Sequence, residues 1–115
     1  MHDETKDLTE TLVWAVSMIT KSTAENRQRI ASAYQEAQEL VAGIPKENGS
    51  ARPRILACFQ RSDAYRATDD VACIGWTLAA IQERVNEGDL ADWRKLRNVI
   101  NQLVKMLPID PPTVH

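Results

Sequence analysis

At 115 residues the chain fits one domain, residues 1–115, long enough to bury a hydrophobic core and too short for two independent ones. Fourteen Lys and Arg against sixteen Asp and Glu leave a net charge of −2, which excludes the strongly basic balance of a nucleic-acid coat protein or a polybasic membrane binder. There is no repeat and no low-complexity tract, and the four Gly and five Pro fall in a few clusters that would separate helices.

In chain order, the acidic start "MHDETKD" leads into no uninterrupted apolar run, and no segment reaches membrane-spanning length. The expectation is a cytoplasmic protein with short flexible ends (1–4 and 109–115). Leu8, Leu12, Ala15, Val16 and Ile19, then Ile30, Ala33, Tyr34, Ala37, Leu40, Val41 and Ile44, share one helical face across the polar stretch "TKSTAENRQR". The shared phase predicts one long helix over about residues 6–43. Against it, Ser22-Thr-Ala-Glu25 is a capping-box pattern that would start a second helix. In a continuous helix Asn26 would lie on the apolar stripe.

After the breaks at Gly43, Pro45 and "KENGSARP", Pro53 opens a short helix predicted to carry Ile55, Leu56 and Phe59 inward, with Arg54 and Arg61 outward. Thr68 is read as the cap of the next helix, with Asp69 and Asp70 in its first turn. Val71, Ile74, Leu78, Ile81 and Val85 then run as one stripe straight past Gly75. A DNA-reading helix-turn-helix over residues 68–88 would need that glycine to break the chain, and would put Trp76, a poor reader of base edges, at the start of the recognition helix. A single buried helix, with Gly75 admitting a close neighbour, fits better. In the last helix Asp89 is the predicted cap, Asp92 its third residue, Trp93, Leu96, Ile100, Leu103 and Leu107 the buried stripe, and Pro108 the stop. The fold class is all-α, a bundle of four to five helices.

Catalytic chemistry has little to stand on. The two histidines, His2 and His115, sit at the chain ends, where no scaffold fixes a triad, a general base or a metal site. Arg97-Asn98 is followed by Asn101-Gln102-Leu103, without the histidine that an Arg-Asn-x-x-x-His nuclease motif requires. Glu36-Glu39 and Glu83-Glu87 have helical spacing but no Glu-x-x-His companion, and "ENGSARP" lacks the strand and lysine of a P-loop. Cys58 and Cys73 match neither a zinc site nor a redox pair, so reduced, buried thiols are expected. No enzyme, cofactor or metal is expected.

The apolar residues off the core stripes carry the functional reading. Trp14 projects away from Leu12, with Met18 one turn on, and Trp76 faces away from Ile74 and Leu78. Trp and Met are enriched at interface cores, which makes Trp14, Met18 and Trp76 the candidate partner-binding residues, Trp14 being expected exposed in a monomer. The expected function is a non-catalytic protein-protein interaction module: a small bacterial or phage-type adaptor, chaperone or inhibitor docking on a larger assembly or on itself as a homodimer. The alternative is a nucleic-acid-binding regulator. Residues 26–66 hold seven bases to four acids, and Arg52, Arg54, Arg61 and Arg66 would supply phosphate contacts.

Overall fold

The computed structural model describes residues 4–87, 93–105 and 107, without the side chains of Glu4, Thr5, Leu8, Trp93 and Leu96. It is an all-α bundle of five helices: α1 (Glu4–Thr20), α2 (Ala24–Ala42), α3 (Arg52–Arg66), α4 (Asp70–Glu87) and α5 (Trp93–Lys105). The described residues contain no strand.

The single long N-terminal helix is corrected to two. Helix α1 tightens to a close through the amides of Lys21 and Ser22, bonded to the carbonyls of Met18 and Ile19. The Arg27 guanidinium then donates to the carbonyls of Thr20 and Ser22, satisfying acceptors that the end of a helix leaves open. Thr23 has an extended backbone, and its hydroxyl accepts the Asn26 amide, so α2 starts afresh one residue beyond the predicted cap. Asn26 therefore belongs to the first turn of α2 and not to a helix seam. The common phase of the two stripes was real, but local capping chemistry determined the break.

Between α2 and α3 the chain reverses at Asn48-Gly49, whose positive φ values of 51° and 79° suit a tight turn closed by paired bonds between Glu47 and Ser50. Helix α3 has Pro53 in its first turn, and the Ser50 hydroxyl accepts the amide of its first residue, Arg52, at 3.2 Å, while Ala51 has no polar side chain to cap with. The α4 carboxylate of Glu87 adds a second partner at this end, accepting the Ala51 amide at 2.9 Å while pairing with Lys46 at 3.4 Å. At the other end of α4 the cap is Asp69, one residue beyond the predicted Thr68, and it accepts the Ala72 amide. Asp69 also pairs with Arg29 of α2. Arg29–Asp69 at one end and Lys46–Glu87 at the other run α2 parallel to α4, with α3 antiparallel to both.

Helix α4 is the hub. Cys73 to Ile81 are buried without interruption, as expected of a helix enclosed on every side. On one side Ile74, Leu78 and Ile81 join Ala15, Ile30, Ile100, Leu103, Val104 and Leu107 in a first core. On the other, Trp76, Ala79 and Ala80 join Ala33, Ala37, Val41 and Cys58 in a second. Gly75 lets α2 lie against the α4 backbone: a Cβ there would meet the Ala33 Cβ at 2.6 Å and α2 main-chain atoms at 2.8 and 2.9 Å. No turn interrupts α4 at Gly75, so residues 70–87 are one helix and not the two that a helix-turn-helix over residues 68–88 would need. The two thiols are free and buried. The predicted caps and stop of α5, at Asp89, Asp92 and Pro108, lie outside the described residues, as do the side chains of Trp93 and Leu96.

Candidate functional site

Helix α1 determines what the surface offers. Its buried arc runs from Trp14 through Met18, Thr11 and Ala15 to Ile19 and Leu12, turned by roughly 60° from the predicted stripe at about 100° per residue. The cause is α5. Its residues Arg97, Asn101 and Lys105 share a polar cleft with Asp7, Glu10, Thr11 and Trp14, so α5 covers the side of α1 that sequence periodicity left open. Trp14 and Met18 are accordingly half-buried and packed against the first core, which corrects the expectation that Trp14 is exposed in a monomer. The same rotation turns Val16, assigned to the core, outward. Val13 is 66% exposed and Val16 55% exposed.

Trp76 is 4% exposed and lies inside the second core, where it presents no edge to a partner. Its indole nitrogen is buried with no hydrogen-bond partner among the described residues, and the Arg61 guanidinium sits 5.9 Å from the ring centroid.

The four arginines proposed for nucleic acid do not make one stripe. At about 100° per residue Arg54 and Arg61 share one side of α3, and Arg52 and Arg66 the other. Arg54 donates to the Ile44 carbonyl at 2.8 Å, which commits it to closing the α2–α3 loop. Arg61 covers Trp76, and Arg66 lines a cavity on the opposite flank. The structure does not bring them together.

Sequence reasoning missed an apolar groove of about 290 Å³ between α1 and α2, floored by Leu78 of α4. Leu12, Val16 and Ile19 form one wall and Ile30 and Tyr34 the other, with Arg27 and Gln82 among its polar lining. All five wall residues were read as one continuous core stripe, and the groove exists because α1 and α2 diverge after the Thr23 cap. Burial pushes the Tyr34 hydroxyl above its ordinary value; its hydrogen bond to Gln38 opposes this, and the Glu83 charge adds to it. Leu56, expected inward, is also exposed, because α3 buries Ile55, Cys58 and Ser62 instead.

Among the described residues no group of His, Cys, Asp and Glu could hold a metal ion, and no helix is long and apolar enough to cross a membrane. The fold and its surface define a five-helix bundle with a central buried helix and an open apolar groove. Comparison with protein-family models, curated proteins and solved structures finds no match to this chain.

Proposed function

We propose that the protein is a non-catalytic protein-interaction module that docks an amphipathic helix on its α1–α2 face, the helix being α1 of a second copy. The observation that carries this reading is the adjacency of a hole and its knobs. The groove walled by Leu12, Val16, Ile19, Ile30 and Tyr34 has Val16 on its rim and Val13 one turn before it, two of the three large hydrophobics left exposed among the described residues. A twofold axis near Val16 would seat each copy's valines in the other's groove, the self-complementary arrangement that a symmetric dimer requires. Helix-in-groove recognition uses apolar anchors three or four residues apart, as Val13 and Val16 are.

The test is the mass in solution across a concentration series, by light scattering or sedimentation. The wild type is expected to dimerise, and Val13→Asp with Val16→Asp to be monomeric with an unchanged helical spectrum, since both side chains already face water. A wild type that stays monomeric at millimolar concentration would refute self-association. A dimer that survives the double substitution would move the contact elsewhere.

The nucleic-acid alternative rests on the basic middle third, and the separation of its arginines on α3 favours the interaction reading.

A further inference from the structure

A second cavity, about 380 Å³, lies between α3, α4 and α5, away from the α1–α2 groove. That size is within the range of small-molecule sites, roughly 300–1,000 Å³. Its chemistry changes with depth. Ser62, Cys73 and Thr77 line it and are buried; Phe59 and Val99 are half-buried walls; Leu56, Arg66 and Lys95 are exposed at the opening.

The hydrogens on the floor can be counted. Thr77 donates its hydroxyl hydrogen to the Cys73 carbonyl at 2.8 Å. The Ser62 hydroxyl, 2.7 Å from the Thr77 oxygen, must therefore be the donor of that pair. The Cys73 thiol, 3.1 Å from the Ser62 oxygen, is then the donor to Ser62. Each hydroxyl hydrogen is committed, Thr77 is fully buried, and the Ser62 oxygen keeps a lone pair, so the floor accepts a hydrogen bond and offers none. The opening has the opposite character. Among the described lining residues, the exposed Arg66 and Lys95 stand there beside the carboxylate of Asp63. Two helices could pack through apolar side chains at no loss of stability, so the Ser62 hydroxyl on the cavity floor points to a polar occupant.

We infer that this cavity binds a small aromatic carboxylate bearing a hydroxyl or amino donor at the end remote from its carboxylate. The donor meets the Ser62 oxygen, the ring lies between Phe59 and Val99, and the carboxylate meets Lys95 and Arg66.

The experiment is an amide-resolved NMR titration of the full chain with 4-hydroxybenzoate, benzoate, 4-hydroxybenzyl alcohol and inorganic phosphate. The inference expects 4-hydroxybenzoate to bind best, shifting the amides of Phe59, Ser62 and Thr77. Benzoate, which lacks the donor, and 4-hydroxybenzyl alcohol, which lacks the charge, should each bind about ten-fold more weakly. Lys95→Gln with Arg66→Gln, both at exposed positions, should weaken 4-hydroxybenzoate by about ten-fold and leave the alcohol unchanged. No shift at these amides at millimolar ligand, equal binding of the three aromatic compounds, or phosphate matching 4-hydroxybenzoate would each overturn it. The outcome is separate from the dimer test, which reads mass and not these amides.

Discussion

Gly75→Ala separates what local propensity predicts from what packing predicts. In an exposed helix interior the exchange would stabilise by about 1 kcal/mol. At this site the new Cβ would stand 2.6 Å from the Ala33 Cβ, 2.8 Å from the Ile30 carbonyl oxygen and 2.9 Å from the Tyr34 amide nitrogen. Two of the three obstacles are main chain of α2, so no side-chain rotation relieves them, and α2 itself must move outward. Helix α2 is tied to the start of α4 by Arg29–Asp69 and the loop after it to the end of α4 by Lys46–Glu87, and Ala33, Ala37 and Val41 of α2 pack with Trp76 and Ala79. Overpacking of this kind costs about 3 kcal/mol, the upper part of its usual range, because the contact is backbone on backbone. Offset by the propensity gain, the net loss is about 2 kcal/mol, or roughly 8 °C in the thermal midpoint of a domain of this size. Gly43→Ala is the control: its Cβ would meet only the Leu40 and Glu39 carbonyl oxygens, at 3.5 and 4.0 Å, and φ is −87°. There the exchange should be neutral or stabilise by about 0.5 kcal/mol through the unfolded chain. Thermal and urea denaturation of the two variants decide the matter. A Gly75→Ala protein as stable as the wild type would show that α2 does not lie against the α4 backbone.

Three further outcomes are expected. Asp69→Ala removes the α4 cap and the Arg29 pair and should cost about 1–2 kcal/mol at pH 7 by urea titration. Burial raises the Asp69 carboxyl, but the Ala72 amide, the Arg29 hydrogen bond and charge, and the Val71 amide outweigh it and hold it below the ordinary 3.8; the stabilisation is thus present above that pH, and the deficit of the variant should shrink as pH falls below it. Burial, with a smaller effect from the Glu83 charge, pushes the Cys58 thiol from 9.0 up to about 11. The native thiol should therefore react with a disulfide reagent at pH 8 at least about 100-fold more slowly than in the urea-unfolded chain, and the Cys58 contribution to stability, intact below pH 9.0, should be lost as pH rises toward 11. Trp14→Ala should lower stability by about 2 kcal/mol in thermal melts, less than the about 3–5 kcal/mol for a fully buried Trp because the ring is half-covered; an unchanged midpoint would place the ring in solvent.

Much of the fold was legible because it depends on neighbours along the chain. The punctuation by Gly43, Asn48-Gly49 and Pro53, and the three-four spacing of Ile74, Leu78 and Ile81, predict an all-α bundle and an unbroken α4, since turn chemistry and helical period are local properties. Gly75 was also readable as a close approach, because a glycine inside a strong helical stripe has few other uses.

What stayed hidden depends on which helix covers which face. An apolar arc on α1 says that something must pack there, but only the position of α5 turned that arc by roughly 60°, burying Thr11 and part of Trp14 and bringing Val16 to the surface. Two stripes in phase looked like one helix because periodicity carries no record of a cap; the capping-box pattern at Ser22–Glu25 was legible, but only the Thr23 hydroxyl on the Asn26 amide decides between the two readings. The Ser62–Thr77–Cys73 floor joins residues from two helices at separations of 11 and 15, and no local pattern marks such a cluster. Hydrophobic period is a property of one helix, whereas exposure, grooves and polar clusters belong to pairs of helices, and only the tertiary packing decides those pairs.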